Sequence, residues 1–186
     1  MRLFVAIPLP PEVAVRAAAI LPTSLPALRR VKVENLHLTL AFLGWTADER
    51  LEEVISAARD AAAGVSRFEL IFAGAGRFPE RGRPRVVWIG IADGESSVLQ
   101  LGANVSAGLR SRGLQFDDRP LAPHLTLARV PDDASSAEAK TIAAAVESLP
   151  APRFQMAVEE IAVVQSVLSP KGPRYTALAT VPLAHR

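Results

Sequence analysis

Short runs of β-branched, aromatic and leucine residues alternate with longer alanine-rich stretches along this chain. The short runs have the length and composition of strands. They predict strands at residues 3–7, 36–43, 68–72, 86–91, 125–128, 154–164 and 175–181. The alanine-rich stretches carry apolar residues at helical spacing. They predict helices at residues 10–21, 46–64, 96–109 and 135–149. Strands and helices in this order, with a hairpin near the C-terminus, indicate an α+β or mixed α/β architecture.

Glycine, proline and polar residues mark where these elements end. Residues 74–84 are rich in Gly, Pro and Arg and predict a loop. Thr46 is followed three residues later by Glu49, which resembles the start of a helix with a side-chain cap. Residues 169–173 predict the turn between the last two strands. No Gly/Ser linker divides the chain, so we expect residues 1–186 to form a single domain.

Composition narrows the classes of protein that this chain can represent. It has 186 residues, and 49% of them are hydrophobic, which is ample for a packed core. The absence of cysteine excludes disulfides, thiolate zinc sites and a cysteine nucleophile. A formal net charge of +2 does not by itself indicate nucleic-acid binding. No apolar run is long enough to span a membrane, and the first one is too short for a signal peptide. We therefore expect a cytoplasmic protein without a membrane partner.

The sharpest feature is a repeated tetrapeptide, His-Leu-Thr-Leu, at residues 37–40 and 124–127. The chain has three histidines, and two of them stand in these copies. Both copies fall in predicted strands, where alternate side chains share a face. The histidine and threonine of each copy therefore point one way, and the four leucines point the other way and anchor the strands. If the two strands come together, one face carries His37, Thr39, His124 and Thr126.

Two imidazoles and two hydroxyls in one cleft suit displacement at phosphorus. Imidazole titrates near neutrality, so one ring can accept a proton while the other donates one. In-line displacement needs a base beside the attacking oxygen and an acid beside the leaving oxygen. Threonine hydroxyls can donate hydrogen bonds to non-bridging phosphate oxygens. The two His-x-Thr units are therefore candidates for a nearly symmetric clamp around one phosphate.

A structural role and a metal site are the two alternatives for the motif, and both stay open. A single histidine on an apolar strand is commonly a hydrogen-bonded core residue, although coincidence accounts poorly for an identical repeat. Two histidines can also bind zinc, with His185 as a third ligand. Threonine is a poor zinc ligand, and Glu34 is the only acid within three residues of either copy. The sequence therefore favours a site without a metal or other cofactor.

The repeat resembles the signature of the two-histidine (2H) phosphoesterases, which is a pair of His-x-Thr-x tetrapeptides. The surrounding segments are similar to the bacterial and archaeal RNA 2′,3′-cyclic phosphodiesterases, first named 2′-5′ RNA ligases. The similar segments span nearly the whole chain and lie at residues 1–7, 34–36, 42–44, 84–90, 123–129 and 169–175. One departure is Leu121, where many relatives have an aromatic residue, and it bears on how the base or ribose is held.

The resemblance implies an α+β fold of two pseudo-symmetric lobes, each an antiparallel sheet with outer helices, whose His-x-Thr-x strands face a central cleft. It implies hydrolysis of a terminal 2′,3′-cyclic phosphate of RNA to a 2′-phosphate without metal, and in some members the joining of RNA ends. His37 and His124 are then the acid–base pair, with His124 as the base toward water. His37 is the acid toward the departing 3′ oxygen, and Thr39 and Thr126 donate to the phosphate.

Basic and aromatic residues extend the predicted site. Arg129 follows the second tetrapeptide in the same predicted strand and either stabilises phosphate charge or forms a surface ion pair. Residues 77–85 contain four arginines and one acidic residue. Among these arginines, Arg85 is the candidate for binding the RNA backbone. A solvated loop explains this charge equally well. Phe78 and Tyr175 are candidates for stacking on a base. Three other aromatics are predicted to pack in the core or between lobes: Phe42, Trp45 and Trp88.

Other functions stay compatible with the same residues. The chain could be an RNA-end-binding protein that keeps the fold without turnover, although both motifs are intact. It could also be a 2H phosphodiesterase for 2′-5′ oligonucleotides or small cyclic nucleotides, although the basic loop favours longer RNA. Nothing in the sequence indicates a subunit interface, so a monomer is expected.

Overall fold

The computed structural model describes residues 1–25, 27–150, 152–170 and 172–185. These residues form nine strands and four α-helices. The strands are β1 (Arg2–Pro8), β2 (Arg29–Arg30), β3 (His37–Trp45), β4 (Phe68–Phe78), β5 (Val86–Asp93), β6 (Leu125–Arg129), β7 (Arg153–Val158), β8 (Glu160–Val167) and β9 (Arg174–Pro182). The helices are α1 (Pro11–Ala18), α2 (Leu51–Ala63), α3 (Glu95–Ser111) and α4 (Ser136–Glu147). The expected α+β class is confirmed.

The strands form one antiparallel sheet with two halves of similar construction. One half contains β3, β1, β8 and β9 in that order, and the other contains β6, β5, β4 and β7. β3 and β6, which carry the repeated tetrapeptides, meet at the centre through the pair Leu38↔Leu125. The short β2 lies outside this order and pairs with the end of β6. Each half therefore contributes one motif strand to the middle of the sheet.

The connection between β7 and β8 shows that the sheet is strongly curled. In a flat sheet the six strand spacings between them would amount to roughly 29 Å. Only Glu159 joins the two strands, and the two Cα–Cα steps from Val158 to Glu160 reach at most about 7.6 Å. The two ends of the sheet must therefore approach each other, which gives an antiparallel half-barrel.

Helices α2, α3 and α4 pack against the sheet. α2 lies against β8 and β9, α3 against β3 and β5, and α4 against β4. The two longest helices, α2 and α3, also pack together, and they are close at Gly108, where an added Cβ would lie 3.2 Å from the Cβ of Ala57. The core between helices and sheet holds the motif strands in place from behind.

Three local predictions are wrong. Residues 74–78 continue β4 instead of forming a loop, because β4 pairs with β5 as far as Phe78↔Val86. The single strand expected at 154–164 is two strands, because the chain leaves β4 after Val158 and then pairs with β1. Thr46 does not cap α2, which begins at Leu51 after a short 3-10 turn. Side-chain capping occurs instead at α4, where Ser135 accepts from the backbone of Glu138.

Candidate active site

The two tetrapeptides face each other across the centre of the sheet. Leu38 pairs with Leu125, and in antiparallel strands this register sets His37 opposite Thr126 and Thr39 opposite His124. The two histidines are then diagonal neighbours, a relation in which Cα atoms lie roughly 7–8 Å apart. All four leucines of the repeats are buried, as strand alternation predicts: Leu38, Leu40, Leu125 and Leu127. The four polar side chains therefore share one face.

Both imidazole rings are held by the same kind of backbone contact. Nδ1 of His37 lies 2.7 Å from the carbonyl oxygen of Asn35, and Nδ1 of His124 lies 2.7 Å from that of Ala122. A carbonyl oxygen only accepts, so each Nδ1 carries a hydrogen and each Nε2 is the atom that exchanges protons. Nε2 of His37 also lies 3.1 Å from Oγ1 of Thr39, whose hydroxyl donates to the neutral ring.

The carbonyl that binds His37 is itself fixed. Asn35 ends a 3-10 turn that begins at Val33, and its side chain is buried. The side-chain amide donates to the carbonyl oxygen of Pro173 at 3.0 Å. This bond ties the start of β3 to the segment that leads into β9, which also carries Tyr175.

Each histidine ring packs against two aromatic side chains. The His37 ring lies 4.8 Å from Phe4 and 5.4 Å from Tyr175, centroid to centroid, and meets Tyr175 edge-on. The His124 ring lies 5.0 Å from Phe78, also edge-on, and 6.5 Å from Trp88. Phe4 and Trp88 belong to the strands next to the motif strands, β1 and β5. Tyr175 and Phe78 belong to strands farther away in the sheet, β9 and β4.

Glycine at position 76 makes room for one of these aromatics. A Cβ added to Gly76 would clash with the indole ring of Trp88. Gly76 pairs with Trp88 across β4 and β5, so the indole lies flat over the glycine. The absence of a side chain on β4 therefore lets Trp88 reach the position beside His124.

The surroundings of the two rings disfavour their charged forms. Burial lowers the pKa of His37 and of His124, because a buried imidazolium loses hydration. The backbone carbonyl bonds oppose this shift, and the positive charge of Arg129 adds to it at both rings. The charge on His124 also lowers the pKa of His37. The two rings are therefore close enough for their protonation to be coupled.

A cleft of about 940 Å³ opens over this face. Seven of the eight site residues predicted from the sequence line it: His37, His124, Thr39, Thr126, Arg129, Phe78 and Tyr175. Its far wall is formed by residues 117–122 and by the small residues of α3, where Gly102 lies beneath Leu121. Sequence reasoning missed this wall, because no local pattern indicates that α3 borders the cleft.

Arg85, the eighth predicted residue, does not line the cleft. Its backbone joins two segments, since its N–H donates to Phe78 at 2.7 Å and its carbonyl oxygen accepts from Val130 at 2.9 Å. Two neighbouring arginines bind backbone carbonyls rather than projecting freely. Arg77 donates to Pro79 and Gly82, and Arg83 donates to carbonyls in the 131–134 segment. Lys171, in the turn predicted at residues 169–173, lies outside the described residues.

The aromatics predicted to pack internally divide into two groups. Trp88 is half-buried beside His124. Phe42 is 49% exposed and Trp45 is 83% exposed, so the prediction that they pack in the core is wrong. Phe4, by contrast, is buried next to His37 and was missed as a site neighbour. Its place in the first strand carries no signal of which strand lies beside it.

The third histidine lies away from the cleft. His185, the third ligand in the zinc hypothesis, places Nε2 3.2 Å from a guanidinium nitrogen of Arg67 and does not line the cleft. The described residues contain no group of three or more His, Asp or Glu side chains positioned to hold a metal ion. Within the described ranges, none of the helices has both the length and the apolar character needed to cross a membrane.

The fold and the paired His-x-Thr strands define the two-histidine class of phosphoesterases. Residues 9–169 match the model of the 2′-5′ RNA ligase superfamily, and the chain belongs to this family. The family expected from the sequence is therefore confirmed.

Known relatives extend over most of the chain. A protein of Archaeoglobus fulgidus named RNA 2′,3′-cyclic phosphodiesterase is 33% identical and is matched over 94% of this chain and 96% of its own length. A Geobacillus stearothermophilus protein of the same name is 34% identical over 97% of this chain, which spans 56% of that longer protein. The crystal structure of the Thermus thermophilus protein TT0787 superposes with a TM-score of 0.80 at 31% identity, covering 100% of this chain and 99% of that one.

Proposed function

We propose that this chain is an RNA 2′,3′-cyclic phosphodiesterase that hydrolyses a terminal 2′,3′-cyclic phosphate to a 2′-phosphate. The observation that carries the proposal is the placement of two His-x-Thr units on one face through the pair Leu38↔Leu125. The names of the Archaeoglobus and Geobacillus relatives support it. Because each half of the sheet supplies one imidazole, we also propose that residues 1–186 act as a single bilobal domain.

In the proposed reaction, one histidine is the base and the other is the acid. Nε2 of neutral His124 takes a proton from water as the water oxygen forms its bond to phosphorus. The bond between phosphorus and O3′ breaks, and protonated His37 gives its Nε2 proton to O3′. The product carries a 2′-phosphate and a 3′-hydroxyl. Proton exchange with solvent returns both rings to their starting states.

The unequal surroundings of the rings support this assignment of roles. The contact of His124 with Ala122 is exposed, whereas the contact of His37 with Asn35 is partly buried. Water therefore has better access to His124. Burial lowers the pKa of His37, so its protonated form is a stronger acid than an ordinary imidazolium.

The other cleft residues suit the charge and shape of the substrate. The hydroxyls of Thr39 and Thr126 can donate to the non-bridging oxygens, and Arg129 brings the positive charge that is felt at both rings. Phe78 and Tyr175 stand edge-on to the histidines at the cleft wall, where they can flank a sugar or base. Arg85 lies outside the cleft, so it can contact only RNA beyond the terminal nucleotide.

The same proton transfers can serve other acceptors. If the 5′-hydroxyl of a second RNA strand replaced water, the product would be a 2′-5′ bond, so ligation is part of the proposal. The reaction as written uses no metal or other cofactor. A cytoplasmic location and a monomeric state stay predictions.

The proposal is tested with an oligoribonucleotide that ends in a 2′,3′-cyclic phosphate, incubated with the protein in excess chelator. The expected product is a terminal 2′-phosphate, identified by its mass and by comparison with synthetic 2′-phosphate and 3′-phosphate standards. His37→Ala and His124→Ala should each lower turnover by about 10³-fold, the usual loss of a general acid or base. His185→Ala is the matched control, since this histidine lies outside the cleft, and it should retain full activity.

Each contrary result points to a different function. Turnover that requires an added divalent metal would overturn the metal-free reaction. Tight binding of the RNA end without turnover would favour the RNA-binding alternative. A strong preference for 2′-5′ oligonucleotides or small cyclic nucleotides would keep the two-histidine chemistry and change the substrate.

A further inference from the structure

Two exposed aromatic side chains continue the cleft face of the sheet beyond the histidines. Phe4 of β1 pairs with Phe42 of β3, and Arg2 pairs with Trp45. Arg2 and Phe4 are two residues apart on β1, so they project from the same face. That face is the one occupied by His37, whose ring lies 4.8 Å from Phe4. Trp45 and Phe42 therefore lie on the catalytic side of the sheet.

The aromatic rings form a row that leads away from the proposed phosphate site. The Phe4 and Phe42 rings are 6.1 Å apart, centroid to centroid. Trp45 follows two pairs farther along, a step of two residues on β1 that spans roughly 6.6 Å. Phe42 lines the same cleft as the histidines. The surface is therefore continuous with the site and becomes more exposed toward Trp45.

The charges around this row favour a phosphate backbone. Arg2 is exposed, and its positive charge lies close enough to Tyr175 to counter the rise in that phenol's pKa caused by burial. Two carboxylates near the row are paired. Asp48 lies 2.9 Å from the amino group of Met1. Asp117, whose backbone N–H donates to the carbonyl of Phe42 at 2.7 Å, is bound by Arg119. This pairing reduces repulsion of an approaching phosphate chain.

We propose that Phe42, Trp45 and Arg2 form a stacking platform for the bases that precede the cyclic phosphate. Flat exposed rings beside a positive charge are the means by which proteins bind single-stranded nucleic acid without reading its sequence. The inference rests on the proposed function and narrows its substrate class. The preferred substrate is a single-stranded RNA end of several nucleotides, and a mononucleoside 2′,3′-cyclic phosphate uses the cleft without the platform.

The test compares two substrates that share the same terminal nucleoside. One is a mononucleoside 2′,3′-cyclic phosphate, and the other is a short single-stranded oligoribonucleotide with that end. Trp45→Ala should lower kcat/KM for the oligoribonucleotide by about tenfold, the typical loss of one stacked base. It should leave kcat/KM for the mononucleotide unchanged. Trp45→Phe should retain most of the activity on the longer substrate, because a ring remains.

Val15→Ala provides the matched control, because Val15 is an exposed apolar residue on α1 that does not line the cleft. The Val15→Ala substitution should change kcat/KM for neither substrate. An equal loss on both substrates after Trp45→Ala, or no loss on the oligoribonucleotide, would overturn the platform while the proposed function stands. If the unchanged protein hydrolysed neither substrate, the proposed function and the platform would fail together.

Fluorescence gives a second measurement that does not depend on turnover. The chain has two tryptophans, and Trp45 is the exposed one. Adding the 2′-phosphate oligoribonucleotide product should protect the emission of Trp45 from quenching by acrylamide, with Trp45→Phe as the blank. A mononucleoside 2′-phosphate should give no protection. Unchanged quenching with the oligoribonucleotide would overturn the proposal.

Discussion

The two halves of the sheet hold their histidines alike and surround them differently. Each Nδ1 lies 2.7 Å from a carbonyl oxygen two residues earlier. Each ring also meets one aromatic edge-on, Tyr175 at 5.4 Å from His37 and Phe78 at 5.0 Å from His124. These shared contacts fix which ring nitrogen carries the exchangeable proton. The two histidine rings are therefore held in nearly the same way.

The two halves differ in a contact inside the repeat and in the residues around it. The hydroxyl of Thr39 lies 3.1 Å from Nε2 of His37, whereas His124 lies in a more exposed position. Arg129 belongs to the strand of the second motif, although its charge reaches both rings. Duplication therefore supplies the two imidazoles, and their unequal neighbours supply a reason for one to act as acid and the other as base.

The assigned roles of the two histidines are tested most directly with a substrate whose leaving group needs no acid. An RNA end in which sulfur replaces the bridging O3′ carries a leaving group that departs without a proton. With this substrate, the loss caused by His37→Ala should shrink from about 10³-fold to less than about tenfold, because only the acid has become dispensable. The loss caused by His124→Ala should stay near about 10³-fold. Single-turnover rates on the oxygen and sulfur substrates make the measurement.

Unchanged protein on both substrates is the reference for the intrinsic effect of sulfur. Rescue of His124→Ala instead of His37→Ala would exchange the two roles. If the sulfur substrate rescued neither variant, proton donation to the leaving group would not explain the need for either histidine. Each outcome therefore assigns the two halves differently.

The repeat is also the part of the molecule that the sequence predicts best. Strand alternation alone places His37 and Thr39 on one face and the leucines behind them, because period-two geometry is local. The pairing Leu38↔Leu125 is not local, because the two residues are 87 positions apart in the sequence (125 − 38). Only the chemistry of two matched motifs, or the resemblance to a family, indicates that the strands meet.

The errors lie where tertiary pairing overrides local signals. Glycine and arginine at residues 74–78 predict a loop, yet pairing with β5 extends β4 as far as Phe78. Glu159 has no turn signal around it, yet the chain passes there from the edge strand β7 to β8, which lies next to the other edge, because the curled sheet brings these strands together. Trp45 has the size of a core residue, but its strand position faces the open side of the sheet.

A smaller effect is expected at Arg129, the charge shared by the two halves. Arg129→Ala should lower kcat/KM by about 100-fold, because the proposed donor to the phosphate is lost. It should also move the bell-shaped pH profile of kcat/KM to higher pH. The guanidinium disfavours both imidazoliums, so its removal lets the pKa of each histidine rise toward the ordinary value.

Arg129→Lys separates the two contributions. The lysine keeps the positive charge and should leave the pH profile close to that of the unchanged protein, while it loses the fork that binds two phosphate oxygens. A shift of the profile to lower pH in Arg129→Ala would contradict the electrostatic coupling. A shift in only one limb of the pH profile would show that the charge of Arg129 affects only one of the two histidines.

The smallest effect, and the finest comparison of the halves, comes from the two threonines. Thr39→Val and Thr126→Val should each lower kcat by about tenfold, because each removes one hydrogen bond to a charged phosphate oxygen. Only Thr39→Val should also move the pH profile. In the free protein the Thr39 hydroxyl donates to Nε2 of neutral His37, which favours the neutral ring. Loss of this bond raises the pKa of His37, so the limb governed by that ring moves to higher pH.

Ser at either position is the control, because it restores the hydroxyl and should recover most of the activity. A pH shift in Thr126→Val of the same size as in Thr39→Val would mean that both hydroxyls bind their own histidine in solution. The halves would then be equivalent at the threonines, and the difference between acid and base would have to come from burial alone. A shift of the pH profile in Thr39→Val alone would show that a single hydroxyl makes the two halves different. The two tetrapeptides would then differ in structure although their sequences are identical.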